Sequence, residues 1–106
     1  MNINAHYNLN ESTPLCKIMQ DFGSDKGSVD GRQWHNYTRL YYSLFRNVMN
    51  ESLNVFELGV GTNNPYVPSN MGINYRPGSS LRGWELFCKN ANIYGADIDK
   101  NILFNE

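Results

Sequence analysis

No apolar run in this 106-residue chain approaches the roughly 20 residues that a membrane helix requires, so no transmembrane segment and no membrane partner is expected. The opening Met1-Asn2-Ile3-Asn4-Ala5-His6 lacks the charged and apolar regions of a secretory signal, which makes a cytoplasmic location the default. Cysteine is scarce. Cys16 and Cys88 stand far apart, with neither metal-ligand spacing nor a disulfide framework, and both are expected as small apolar core residues. An excess of one charge is missing too: the formal net charge is -1, and Lys and Arg are scattered singly. Without a basic face or stripe, nucleic acid is not an expected partner. No internal repeat or low-complexity tract is present.

What remains is the composition of one globular domain: 41% hydrophobic and 18% charged residues are too apolar for a disordered tail. A domain of this size hides roughly 60 to 70% of the surface its unfolded chain exposes, so stability depends on completing every layer.

Ser12 or Thr13 as N-cap, Pro14 in the first turn, and Leu15, Ile18, Met19 and Phe22 at helical spacing predict a helix that Gly23 ends. Ser24 to Arg32, polar and rich in glycine, reads as an exposed loop with Asp25 and Lys26 in a surface turn. A second helix is expected from Thr38 to Met49, because Tyr41, Leu44, Phe45 and Val48 share a face. Asn54 to Leu58 reads as a buried parallel strand entering Gly59-Val60-Gly61. A long loop follows from Thr62 to Ser79, and then a third helix capped by Ser79 or Ser80, with Leu81, Trp84, Phe87 and Cys88 at helical spacing. Ile93 to Ala96 is the second strand, and Lys100 to Glu106 looks like the first turns of another helix. The organisation is an N-terminal helical segment over residues 1–50 and a first βαβ unit over residues 51–106. Two strands leave sheet edges and faces for something to cover, so the chain reads as a fragment or as one that relies on a partner, a homo-oligomer included.

The strongest local signal is Val55-Phe56-Glu57-Leu58-Gly59-Val60-Gly61-Thr62, where glycines at a strand exit let the backbone approach a nucleotide-like ligand. The second strand ends at Asp97, and a carboxylate there can accept both hydroxyls of a ribose. A dinucleotide fingerprint would want glycine at position 64 and an acid about 20 residues on. Position 64 is Asn64 and Asp97 comes much later, so adenosylmethionine, which has no pyrophosphate, is favoured over a dinucleotide.

Four blocks resemble one family. They are Gly23-Ser24-Asp25-Lys26-Gly27; His35-Asn36-Tyr37-Thr38-Arg39-Leu40-Tyr41; Phe56-Glu57-Leu58-Gly59-Val60-Gly61; and Gly78-Ser79-Ser80-Leu81-Arg82-Gly83-Trp84 with Ile93-Tyr94-Gly95-Ala96-Asp97-Ile98-Asp99. Together they resemble the class I S-adenosylmethionine-dependent methyltransferases, in the macrolide sugar O-methyltransferase branch of the mycinamicin and macrocin enzymes. The resemblance implies an α/β Rossmann-like fold, here only its N-terminal part, with S-adenosyl-L-methionine as cofactor and a small-molecule or sugar acceptor. By the same resemblance Glu57, Gly59 and Gly61 would line the methionine and ribose portion, Asp97 would hold the ribose hydroxyls, and Thr38 and Ser80 would touch the cofactor. In that family the catalytic groups and acidic magnesium ligands lie in the later half. Mg2+ would therefore enter only through sequence beyond this stretch, and no catalytic or metal-binding residue is assigned.

Plainer roles compete. The glycines could simply turn the chain, Asp99 is expected to cap the next helix, and His35 reads as a hydrogen-bonded structural group ahead of a general base. Tyr37, Tyr41 and Tyr42 are expected as core and interface aromatics. Two other functions stay open: a non-catalytic binding or assembly module, and a dinucleotide-binding oxidoreductase fragment.

Overall fold

The computed structural model describes residues 10–30, 35–68 and 71–105. In chain order it contains α1 (Pro14–Phe22), α2 (Thr38–Phe45), β1 (Asn54–Leu58), α3 (Ser79–Phe87), β2 (Asn92–Ala96) and a 3-10 turn at Lys100–Ile102. This is a small α/β arrangement compatible with part of a Rossmann-like fold. β1 and β2 pair in parallel, with Phe56 opposite Tyr94 and Leu58 opposite Ala96, so both strands end together on one side.

α1 is closed at both ends by local chemistry. Thr13 Oγ1 accepts the Cys16 amide at 3.3 Å, and Gly23 takes φ +84 so that the Gly23 and Ser24 amides return to the Gln20 and Met19 carbonyls. The buried face of α1 meets α3 in one cluster of Leu15, Met19, Trp84, Phe87 and Cys88, with Val55 and Ile93 of the sheet packed beneath it. Gly83 permits the close approach, since a Cβ there would sit 2.6 Å from Met19 Sδ. Tyr41 and Tyr42 extend the cluster, with ring centroids 5.7 Å from Trp84 and 5.9 Å from Phe87. Cys16 and Cys88 are buried free thiols.

Several boundaries differ from the sequence reading. α2 stops at Phe45, not Met49. The chain continues in turns, with the Val48 amide on the Phe45 carbonyl and the Glu51 amide on the Val48 carbonyl. Val48 is still buried, so the apolar spacing was real. Asn47 and Asn50 are residues whose side chains compete for the backbone and favour turns over continued helix. α3 is capped by Gly78 at φ +80, with Ser79 and Ser80 already inside its first turn. Lys100 to Ile102 makes only one 3-10 turn, capped by Asp99 Oδ1 on the Asn101 amide at 3.0 Å, after which Leu103 is extended. Phe104 then packs under the Arg82 guanidinium, 4.1 Å from Cζ to the ring centroid.

The segment after α1 is exposed only in part: Ser24, Asp25 and Ser28 are buried, while Val29 and Asp30 are exposed. Its serines are satisfied locally, with Lys26 N on Ser24 Oγ at 3.2 Å and Ser28 Oγ on Asp30 Oδ1 at 2.8 Å. Residues 31–34, the end of that expected loop, lie outside the described residues. Arg39 is buried as well, its guanidinium donating to the Glu11 and Val29 carbonyls.

The far face of the sheet is open, with Phe56 63%, Leu58 81% and Tyr94 54% exposed. Among the described residues no helix is long and apolar enough to cross a membrane.

Candidate ligand crevice at the strand ends

Parallel strands deliver their last residues to the same edge, and here that edge is a crevice of about 590 Å³. Gly59, Val60 and Gly61 form its floor, Asp97 and Ile98 one side, and Lys26, His35 and Tyr37 lie on the wall from the preceding segment. His35 and Tyr37 stack with ring centroids 4.9 Å apart. Tyr37 is thus a partly exposed crevice residue, unlike Tyr41 and Tyr42 in the core.

The floor is left-handed backbone. Gly59 has φ +81 and Gly61 φ +97, conformations that L side chains rarely adopt. A Cβ on Gly59 would meet no atom within 4 Å, so that glycine leaves open space in the crevice; a Cβ on Gly61 would come 2.8 Å from Met71 Cε. The two strand ends are then tied together. Gly59 N–H donates to the Ala96 carbonyl at 2.8 Å, and Gly61 N–H donates to Asp97 Oδ2 at 2.8 Å. Asp97 Oδ1 accepts the Asp99 amide at 2.9 Å. Behind them Thr62 Oγ1 donates to buried Asp99 Oδ2 at 2.5 Å, an inner lock that sequence reasoning missed. Its only trace in the sequence is Thr62 directly after the second glycine and Asp99 two residues after Asp97.

Each Asp97 oxygen uses one lone pair on the backbone and keeps acceptor capacity beyond it. Such a carboxylate is held in one orientation and can still accept hydroxyl donors. The arrangement suits a polyhydroxylated ring lying across the strand ends above backbone that carries no side chain.

Of the six residues expected to contact a cofactor, Gly59, Gly61 and Asp97 line this crevice, and Thr38, Glu57 and Ser80 do not. Thr38 is fully buried, its hydroxyl donating to Cys16 Sγ at 3.1 Å and its side chain occupying the space a Cβ on Gly27 would need. Glu57 alternates away from Leu58 along the strand and points toward α3. There Ser80 Oγ donates to Glu57 Oε1 at 2.5 Å and Trp84 Nε1 to Oε2 at 3.3 Å. A carboxylate does sit at the first turn of α3, as helix-end electrostatics favour, but it is the chain's own. Glu57 is 11% exposed, with the Lys26 ammonium 3.8 Å from Oε1.

The buried thiols differ in their titration. Burial opposes the Cys16 thiolate, yet hydrogen bonds from Thr13 and Thr38 and the charge of Arg39 together hold its pKa below the ordinary 9.0. Burial alone pushes the Cys88 thiol up. Among the described residues no group of three or more His, Cys, Asp or Glu could hold a metal ion.

Comparison with known proteins adds one relationship. The chain is 29% identical over 98 residues to L-olivosyl-oleandolide 3-O-methyltransferase of Streptomyces antibioticus. The likeness is to a methyltransferase. It covers 92% of this chain but 22% of that enzyme, so the chain spans about a fifth of the relative's length. At this identity the relationship is distant. No family model matches the chain, and no solved structure matches it significantly.

Proposed function

We propose that the crevice binds S-adenosyl-L-methionine and that the chain serves an O-methyltransferase acting on a sugar or glycan-related acceptor. The observation that carries the reading is the convergence of the Gly59–Gly61 turn and Asp97 on one crevice, linked by the Gly61–Asp97 hydrogen bond. The distant likeness to a sugar O-methyltransferase points the same way and is the support for a sugar acceptor. When bound, the cofactor supplies an activated methyl group on a sulfonium. In this reading Gly59 and Gly61 admit the ligand to the backbone, Asp97 orients its ribose, and Glu57, Ser80 and Thr38 support the floor and wall from behind. Any homo-oligomer would form through the open sheet face around Phe56 and Tyr94, which lie outside the crevice, with Leu58 bordering both.

Calorimetry with S-adenosylhomocysteine and with NAD tests this directly. Saturable binding of S-adenosylhomocysteine, lost in Asp97→Ala, is the expected result. Binding of NAD in its place would move the chain to the dinucleotide class, and binding of neither would leave the assembly-module reading.

A further inference from the structure

The Lys26 ammonium is the lysine charge bordering the crevice, beside the buried Asp25 carboxylate that lines it too. Its side chain is 19% exposed, and its one ionic neighbour among the described residues, Glu57 Oε1, is 3.8 Å away, beyond hydrogen-bond reach. That oxygen already takes the Ser80 hydroxyl at 2.5 Å. The base of the residue is fixed: Lys26 N donates to Ser24 Oγ at 3.2 Å, and its carbonyl accepts the Tyr37 amide at 2.8 Å. A pinned backbone thus holds an ammonium between the crevice and the neighbouring groove along β1, both of which it borders. An ammonium has three donors and no acceptor, and withdrawing it from water without hydrogen bonds is unfavourable unless a ligand brings oxygen atoms.

We infer that Lys26 receives the carboxylate of an α-amino-acid group carried by the crevice ligand, with Glu57 as the counterion that positions the ammonium. The inference rests on the adenosylmethionine reading above and deepens it, since that ligand carries such a carboxylate at the end opposite its adenine. Glu57 acts through Lys26 and is a positioning residue.

The test compares S-adenosylhomocysteine with 5′-methylthioadenosine, the same nucleoside thioether without the amino-acid group, by calorimetry on the 106-residue chain. The native chain should prefer S-adenosylhomocysteine by about 10- to 100-fold, the range of a charge-assisted hydrogen bond. Lys26→Met should erase that preference and leave 5′-methylthioadenosine binding unchanged, and Lys26→Arg should keep most of it. A Lys26→Met chain that retains the preference overturns the inference. So does one that loses both ligands equally while Lys26→Arg shows no preference either. If the native chain binds 5′-methylthioadenosine as tightly as S-adenosylhomocysteine, the adenosyl reading stands and this inference alone fails. If it binds neither, the adenosyl reading itself fails and the inference with it.

Discussion

Gly61 and Asp97 lie 36 positions apart, yet the amide of one donates to Oδ2 of the other at 2.8 Å. The bond closes the ends of two parallel strands into one site, and Asp97 Oδ1 extends the closure to the Asp99 amide. Asp97→Ala removes both acceptors. It should cost about 1–3 kcal/mol of stability by leaving backbone donors unpaired, and should weaken S-adenosylhomocysteine at least about tenfold. Asp97→Asn, which keeps one acceptor, should recover part of the stability and little of the affinity; denaturant titration and calorimetry read the two separately.

The two floor glycines should respond differently to alanine. At Gly59 the cost to folding is the left-handed backbone alone, about 1–2 kcal/mol, because a Cβ meets nothing within 4 Å. That Cβ projects into the crevice, so ligand affinity should fall by more than the stability loss explains. At Gly61 the same strain is joined by a contact 2.8 Å from Met71 Cε, and Gly61→Ala should be the less stable variant. Equal stability of the two would contradict the assigned geometry.

Thr38→Val keeps the shape of a fully buried side chain and removes the donor to Cys16 Sγ. The expected loss is about 1 kcal/mol, with S-adenosylhomocysteine affinity unchanged, because the side chain supports the wall from outside the crevice. A tenfold loss of affinity at full stability would return Thr38 to the list of ligand contacts.

Alkaline pH should destabilise the chain through Cys88. Burial raises this thiol above its ordinary 9.0, so the folded state holds the proton more tightly than the unfolded state does. The stabilising contribution is complete below pH 9.0 and is lost as pH rises through the higher folded value. Tyr41, raised by burial first and then by Tyr37 and Glu57, acts in the same direction above its ordinary 10.0. Cys16, being lowered, works in the opposite sense. Cys88→Ala should flatten the alkaline fall in denaturation midpoint, at the expense of some packing; an unchanged slope would mean the thiol does not contribute.

Much of the fold follows from local patterns. Thr13, Pro14 and Gly23 mark the ends of α1 because capping uses atoms only a few residues apart. The strand from Asn54 to Leu58 and its glycine exit are equally local, and β1 pairs in parallel with β2 as expected, but it is open on one face where a buried strand was expected, because no further layer covers Phe56 and Leu58 among the described residues. The end of α2 was not legible: Val48 is buried in a turn with the spacing it would have in a helix, so periodicity could not separate the two. The loop carrying Asp25 and Lys26 looked like solvent-exposed turn chemistry, but the Ser24 hydroxyl accepts the Lys26 amide and the Ser28 hydroxyl donates to the Asp30 carboxylate, which lets both serines bury.

By itself the sequence determined the strand ends, the left-handed glycines between them and the acid opposite, since backbone freedom and strand alternation are properties of residue type and spacing. The tertiary structure alone decided where the other polar groups are spent. Ser80 and Trp84 converge on Glu57, and Thr38 turns to Cys16, because α3 packs across the sheet and α2 beside α1. Those pairings join residues more than 20 positions apart, and a hydrogen bond over that separation is set by packing geometry that no local pattern encodes.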